Sequence, residues 1–505
     1  MKKRWNRFKT FFSKPYNVLL VLFLVVLSFL VVIPLFSIVK DTFIVHTSEK
    51  SRVHQAVGTF TTYHWKRLFA SEFSNSLLWS PLRNSLWTSA WSCVVSILIG
   101  GSFAWLVSRS DMRWKTLLTK LFIFPYIMPS WTLALAWKNF FKNIAVTGSN
   151  GIFYSLTGIQ VRTWFAYGEF PIIVVTGMHY APFAYILIGG ILHNMDANLE
   201  EAAIILKTKR LRMFWILQAS RGRILRKITI PIVMPAVLST IILVFSGAMA
   251  SFATPQFLGL PVRYYVLTTE LYAAINGTNP GVGYILAMLM ILISVIIMVV
   301  NQKMIGNRRS YATVTGKSAN ISIFHLGIWR TPISIIAFIV VMCMSVIPLV
   351  TFALESLLSY TGVYDFNNLT LSFWIGQAQG HDTWQSEPGI LRNPEVYRTL
   401  WNSLKLAATC SLGAGTLGFL AGYCIVRRRG NWLSQIVENL TFIPYLIPSM
   451  AFSAIYLSMF ASKRGIIPSL YGTFAILALI GTVKYLPMAS RSGVNSMLQL
   501  SPEIE

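Results

Sequence analysis

The chain is short of acid. Its 505 residues include 17 Asp and Glu against 43 Lys and Arg, and charged residues of both signs make up only 12%. A soluble domain carries about 25% charged residues, so this chain cannot clothe itself in an ordinary charged surface. Cysteine is scarce too. Cys93, Cys343, Cys410 and Cys424 stand singly inside or at the edges of apolar runs. Without metal-ligand or Cys-x-x-Cys spacing they read as small helix residues, silent on redox compartment. A Walker motif is missing: Gly316-Lys317-Ser318 ends like a P-loop, but Tyr311 stands where its first Gly belongs. Gly413, Gly415 and Gly418 fit a dinucleotide fingerprint on paper. They lie inside an apolar run with no strand before them, which excludes that role. Gly418 and Gly422 make a small-xxx-small pair suited to close helix packing instead.

What the chain has is apolar length. It is 54% hydrophobic, with mean hydropathy +0.58. A helix needs about 20 apolar residues to cross the hydrocarbon core. Ten runs qualify, near 18–39, 84–107, 121–141, 170–192, 231–250, 281–301, 332–354, 400–426, 436–460 and 469–490. The fold class expected is an all-α polytopic membrane protein. The basic start resembles a signal peptide, but the run after it is long enough to span and no small-residue cleavage site follows, so it reads as a retained first helix. The net charge of +26 sits in short loops between apolar runs. That is a topogenic pattern rather than a nucleic-acid footprint, so no nucleic-acid partner is expected. Residues 1–17 hold six basic and no acidic groups, whereas 355–398 hold five acidic and two basic. The expected topology has a cytoplasmic N-terminus in a cell (plasma or inner) membrane.

The chain also repeats itself. Asn84-Ser85-Leu86 matches Asn402-Ser403-Leu404, "FPYIMPS" at 124–130 matches "IPYLIPS" at 443–449, "VIPL" at 32–35 recurs at 346–349, and "HYAP" at 179–182 matches "KYLP" at 484–487. Spans one to four thus align with seven to ten in the same orientation, a tandem parallel duplication. The expected division is a first repeat over 1–310 with a special loop at 193–230, a cytoplasmic linker at 311–331, and a second repeat over 332–505. Tyr180 precedes Glu200 by the interval at which Tyr485 precedes Glu505. The second repeat is therefore expected to be incomplete here, stopping where its own loop motif begins, within a longer twelve-span protein.

That loop begins "NLEEAA" at 198–203. Asn198 is a good N-cap with Glu201 as capping-box partner, and Glu200 and Glu201 complement the dipole of a helix start. In the second copy Ser501 can cap, with Pro502 at the first helical position. The stretch from Glu201-Ala202-Ala203 to Ile228-Thr229-Ile230-Pro231 resembles the EAA motif of permease subunits of binding-protein-dependent ABC importers of the type I fold. Two departures stand out: Gln218 occupies a position usually Gly, and roughly 204–215 is inserted. The two-repeat chain resembles fused permeases for ferric iron, thiamine or aminoethylphosphonate. The resemblance implies that Glu200, Glu201, Ala202, Ala203, Gln218 and Glu505 couple the chain to a dimer of cytoplasmic ATPase subunits. It further implies an extracytoplasmic solute-binding protein and a small-molecule or ion substrate, polyamine included. It implies no catalytic residue, no resident metal and no cofactor in this chain.

Other candidates are weaker. Pro125/Pro129 and Pro444/Pro448 break spans three and nine, for motion or for packing. His179 and Lys484 occupy matching places at membrane depth, where ionisable groups point to a pathway role or snorkel to an interface. Asn84 and Asn402 read as interfacial caps, and His381 with Asp382 as loop residues. The rival readings are a secondary transporter, which would need no capped EAA helix, and a polytopic membrane enzyme, which would need convergent acids or histidines.

Overall fold

The computed structural model describes residues 12–194, 230–306, 323–377, 387–460 and 468–499. Helices dominate, and the described residues hold only three isolated β-bridges outside them. The principal helices are α1 (Pro15–Asp41), α2 (Tyr63–Phe69), α3 (Asn75–Arg109), α4 (Lys115–Ile127), α5 (Ser130–Phe141), α6 (Glu169–Asn194) and α7 (Ile230–Met249). After them come α8 (Leu267–Asn276), α9 (Pro280–Gly306), α10 (Arg330–Glu355), α11 (Pro394–Arg427), α12 (Trp432–Leu446), α13 (Ser449–Phe460) and α14 (Phe474–Gln499).

The protein is polytopic and all-α, but ten uniform spans is too simple a count. Among the described residues six helices are long and apolar enough to cross a membrane, or eight if each bent pair is one span. The expected spans 121–141 and 436–460 are the bent pairs, α4/α5 turning by 100° and α12/α13 by 105°. Helix α7 contributes a shorter apolar stretch, Ala236–Met249, and α14 carries Lys484 and Arg491 along its length. Asn84 and Asn402 are not caps, because α3 and α11 begin well before them. Asn84 instead reaches Tyr265 O from inside its helix at 2.9 Å.

The chain forms two compact units. One comprises 80–269 and 296–373; the other comprises 1–79, 270–295 and 374–505. In the first, α3 and α6 pack side by side with α7, and α10 lies on the bent pair α4/α5. In the second, α11 and α14 pack side by side, and α1 lies on α11 and α12.

Small residues bring the long helices together. A Cβ added at Gly100 of α3 would fall 2.7 Å from the Ala184 Cβ of α6, and one at Gly418 of α11 would press directly on the Ala489 Cβ of α14. These pairs stand at the sequence offsets 318 and 305 of the repeat. Between one and two turns away the partners exchange size. Gly177 faces Val95 in one unit, and at the same offsets Thr482 faces Gly413 in the other. A side chain added on one helix is removed from its neighbour, which conserves volume at the interface. The order of contacts, Ser92 with Ile173, Val95 with Gly177 and Gly100 with Ala184, makes α3 and α6 parallel. Their last residues, Arg109 and Asn194, therefore lie at one end of that unit.

Charge clamps both ends of α10. At its start the Asp111 carboxylate accepts from Leu326 N at 2.9 Å and lies 3.7 Å from Arg330 Nε, while Phe324 N donates to Arg109 O. At its far end half-buried Glu355 lies 3.6 Å from the Nζ of buried Lys142 and accepts from the Tyr364 hydroxyl.

The Leu326 N–H, with His325 and Arg330, holds the Asp111 carboxyl below the usual carboxylate range. A depressed folded value means that the clamp stabilises fully above the ordinary carboxylate pKa and is lost as pH falls through the folded one. Melting in detergent should accordingly fall more steeply below about pH 4 in the wild type than in Asp111→Asn, which loses the clamp at every pH. Gly418→Ala should lower stability by about 1–3 kcal/mol. Gly415→Ala, with nothing within 4 Å of the new Cβ, should be neutral or slightly stabilising. Equal melting of the two glycine variants would show the α11–α14 approach to be looser than described.

Candidate functional site

An α-helical carbonyl at position i accepts the N–H of residue i+4, and proline has no N–H to give. In hydrocarbon the orphaned carbonyl cannot turn to water and must find another donor. Four such carbonyls find one here. Pro129 orphans Pro125 O, which receives His179 Nδ1 of α6 at 2.9 Å. Pro448 orphans Pro444 O, which receives Lys484 Nζ of α14 at 3.0 Å, the same ammonium reaching Ile447 O in the break. Pro125 orphans Leu121 O, which receives Ser345 Oγ of α10 at 2.6 Å. Pro34 orphans Leu30 O within the π-turn Ser28–Val32 of α1, and the Tyr456 hydroxyl of α13 donates to it.

His179 and Lys484 therefore hold matching places for a physical reason: each serves the carbonyl stripped by the second proline of a Pro-x-x-x-Pro pair. A carbonyl only accepts, so the His179 proton sits on Nδ1. Each residue acts inside its own unit. The Tyr126 ring lies beside the His179 ring, and Lys484 lies over the Phe452 ring. Each unit thus has its own candidate site, a broken helix (α4/α5 in one, α12/α13 in the other) held at its break by a polar side chain from the long helix behind it.

Beside the first of these lies a small cleft between α3, α6 and α7, lined by Ser85, Thr88, Ser89, Ser92, Thr176 and Ser251. Its polar groups are neutral hydroxyls, set among the apolar side chains of Ile172, Met249, Pro255 and Val266. Ser85 Oγ accepts Leu267 N at 2.8 Å, and Ser92 Oγ donates to Ile173 O at 3.2 Å. Such a surface can solvate a polar solute or water but holds no nucleophile–base pair. The repeat match pairs Ser85 with Ser403 but Thr88, Ser89 and Ser92 with Leu406, Ala407 and Cys410, so three of the four α3 hydroxyls have no counterpart on α11.

The ATPase-coupling candidates Glu200, Glu201, Ala202, Ala203, Gln218 and Glu505 lie outside the described residues, as do His381 and Asp382. Their flanks are described: α6 ends at Asn194 and α7 begins at Ile230. The sequence reading singled out the prolines and both ionisable residues but missed that they belong together. Proline spacing of four was the available signal. Ser345 and Tyr456 carried none, being remote in sequence from the carbonyls they serve.

Replacing His179 by Leu should leave Pro125 O buried without a donor and cost about 1–3 kcal/mol. In a Pro129→Ala background, which restores a backbone N–H at that position, the same replacement should cost less. A double-mutant cycle on melting temperature measures the coupling. Strictly additive losses would show that the imidazole is not that carbonyl's donor.

Comparison with known proteins places this architecture. Residues 216–310 match the family of binding-protein-dependent transport system inner membrane components. The chain is 24% identical over 84% of its length to a proposed ferric transport system permease protein of Haemophilus influenzae, and it covers 62% of that protein. It is likewise 24% identical over 84% of its length to the ferric transport system permease protein of Actinobacillus pleuropneumoniae, covering 57% of it. A molybdate/tungstate transport system permease protein of Pyrococcus abyssi matches 48% of this chain with 85% of its own length at 24% identity. The chain thus spans about three-fifths of the two ferric relatives. Over most of its length this multi-pass helical chain is thus similar to inner-membrane permease proteins of binding-protein-dependent transport systems.

Proposed function

We propose that this chain forms the translocation pathway of an ABC importer, moving a small solute received from an extracytoplasmic binding protein and driven by a separate pair of ATPase subunits. The observation that carries the reading is the position of the family match. It starts at residue 216 and runs through Ile228–Pro231, α7 and α9, so it takes in the end of the loop that begins with the EAA-like helix start. The parallel course of α3 and α6 supports a single membrane side for that loop and for the basic turn Arg109–Lys115. By the bias of Lys and Arg toward the cytoplasm, that side is cytoplasmic, and so is the N-terminus.

The domain organisation proposed is the tandem one, 1–310 and 332–505 joined by 311–331. The equivalent Gly100–Ala184 and Gly418–Ala489 contacts support it, as does a relative whose near-full length matches about half of this chain. Glu200, Glu201, Ala202, Ala203 and Gln218 would dock one ATPase subunit and the segment containing Glu505 the other. Small Ala side chains allow close approach, and a well-capped helix start transmits a push without fraying. The two broken helices supply the compliant elements, since each break is held by side-chain donors that can release without unwinding a whole span. Among substrates ferric iron leads, from the relatives named for it, with thiamine, phosphonates and polyamines behind. A secondary transporter is not favoured, for nothing in that mechanism calls for an EAA loop.

The test is reconstitution. Affinity purification of the tagged chain from native membranes in mild detergent should bring down a Walker-motif ATPase. Vesicle uptake should require that ATPase, ATP and a binding protein, and the double change Glu200→Ala with Glu201→Ala should lower uptake by about tenfold or more while the chain still folds. ATP-independent uptake unaffected by those changes would overturn the reading.

A further inference from the structure

Three side chains that the transport reading leaves unused meet just beyond α1. His46 and Glu49 lie on the turn following that helix, and His64 on α2. Each offers one ligand atom, and these atoms lie within 4.8 Å of one another. Glu49 and His64 are fully buried and His46 partly so. No short motif joins them in the sequence; the fold alone assembles them.

The arrangement is built from several directions. Glu49 Oε2 accepts His46 N at 3.2 Å, and Oε1 accepts Gly281 N at the start of α9 at 3.3 Å. The carboxylate is therefore oriented by two backbone donors and keeps lone pairs in reserve. His46 Nε2 faces Asp41 O at 2.8 Å, and His64 Nε2 faces Ile44 O at 3.1 Å. Carbonyls only accept, so in the neutral rings both protons sit on Nε2 and both Nδ1 atoms are bare lone pairs. A backbone carbonyl on one imidazole nitrogen is the partner that fixes the other nitrogen as a metal ligand. His64 Nδ1 is buried with no hydrogen-bond partner; the protonated Nε2 also faces Glu49 Oε2 at 3.4 Å, an imidazole–carboxylate contact that helps hold the ring and is not a ligand–ligand spacing. Two ligands each about 2.1 Å from a tetrahedral ion stand about 3.4 Å apart. Gly281 leaves room for the ring, since a Cβ there would fall 2.5 Å from it. The opposing charge is Arg67, which lies close enough to act on His64 and is held by the Tyr63 hydroxyl at 2.6 Å.

We propose that His46, Glu49 and His64 bind a divalent transition-metal ion that clips the turn after α1 to α2 and to the start of α9. Two imidazoles and one carboxylate are a zinc-type set with a fourth position left for water. Borderline divalent ions suit it better than a hard, oxygen-seeking trivalent one, so the site is distinct from any ferric cargo. The outermost ligand atoms need to close from 4.8 Å toward that spacing. His46, the partly exposed member, is the residue placed to move.

The experiment uses the full chain in detergent, stripped with chelator and titrated with cobalt(II), a spectroscopic stand-in for zinc. One equivalent should bind with the strong visible ligand-field bands of a low-coordinate ion, zinc should displace it, and zinc should raise the melting temperature. His46→Gln and His46→Ala, at a position open enough to tolerate change, should weaken binding by about 10–100-fold and abolish the zinc-dependent rise. Without metal His46→Gln should melt close to the wild type, and His46→Ala, which loses the bond to Asp41 O, slightly below it. Failure of the wild-type protein to bind cobalt, or undiminished binding in both variants, would overturn the proposal. Neither result would touch the ATP-dependence of uptake, so the transport reading stands or falls separately.

Discussion

A proline in a membrane helix creates a debt of one hydrogen bond that lipid cannot settle, and much of this structure is arranged around that fact. Leu30 O, Leu121 O, Pro125 O and Pro444 O each lose the N–H that a regular helix would give them. Each is met by a donor from a different helix: Tyr456, Ser345, His179 and Lys484. Because the donors come from elsewhere in the unit, every bend also joins two helices. Breaking a span and holding the unit together are one act. A bend of 100° in α4/α5 would otherwise expose polar backbone at membrane depth, where an unsatisfied group is costly.

This changes how the ionisable residues at membrane depth are understood. A histidine or lysine inside a span first suggests a solute pathway. Here each donates to a proline carbonyl, Lys484 to Ile447 O as well, and the two occupy equivalent places although one is an imidazole and the other an ammonium. What the positions share is a donor of sufficient reach. Gly177/Val95 and Thr482/Gly413 show the same logic in volume: the sum is conserved while the bulk changes sides. Under the proposed transport function such constraints would be useful, because a break held by side-chain hydrogen bonds can yield where a continuous helix would not.

The ends of α10 show charge in a different role. Asp111 at one end and the Lys142–Glu355 pair at the other fix the helix within its unit, while its middle offers Ser345 to the bent pair. In a chain with only 17 acids, two of them serve one helix. Glu49 is used in the same way, buried and oriented by two backbone N–H groups beside two histidines. Acid in this protein is placed rather than spread.

The sequence by itself determined the all-helical membrane class, because about 20 apolar residues cannot be hidden in any other way. It also showed the matched halves, since repeated prolines, small residues and Tyr positions survive as text. The EAA-like stretch offers a capping residue and two acids in sequence, both local features. What only the tertiary structure decided was partnership. That Pro125 O belongs to His179 and Leu30 O to Tyr456, that two expected spans fold back sharply on themselves, that Asn84 lies mid-helix, and that His46, Glu49 and His64 converge are all relations between distant residues. Periodicity records which face of a helix is apolar, but not which neighbour arrives to satisfy an orphaned carbonyl or share a buried carboxylate. Those outcomes follow from packing, and packing has no local signature in the chain.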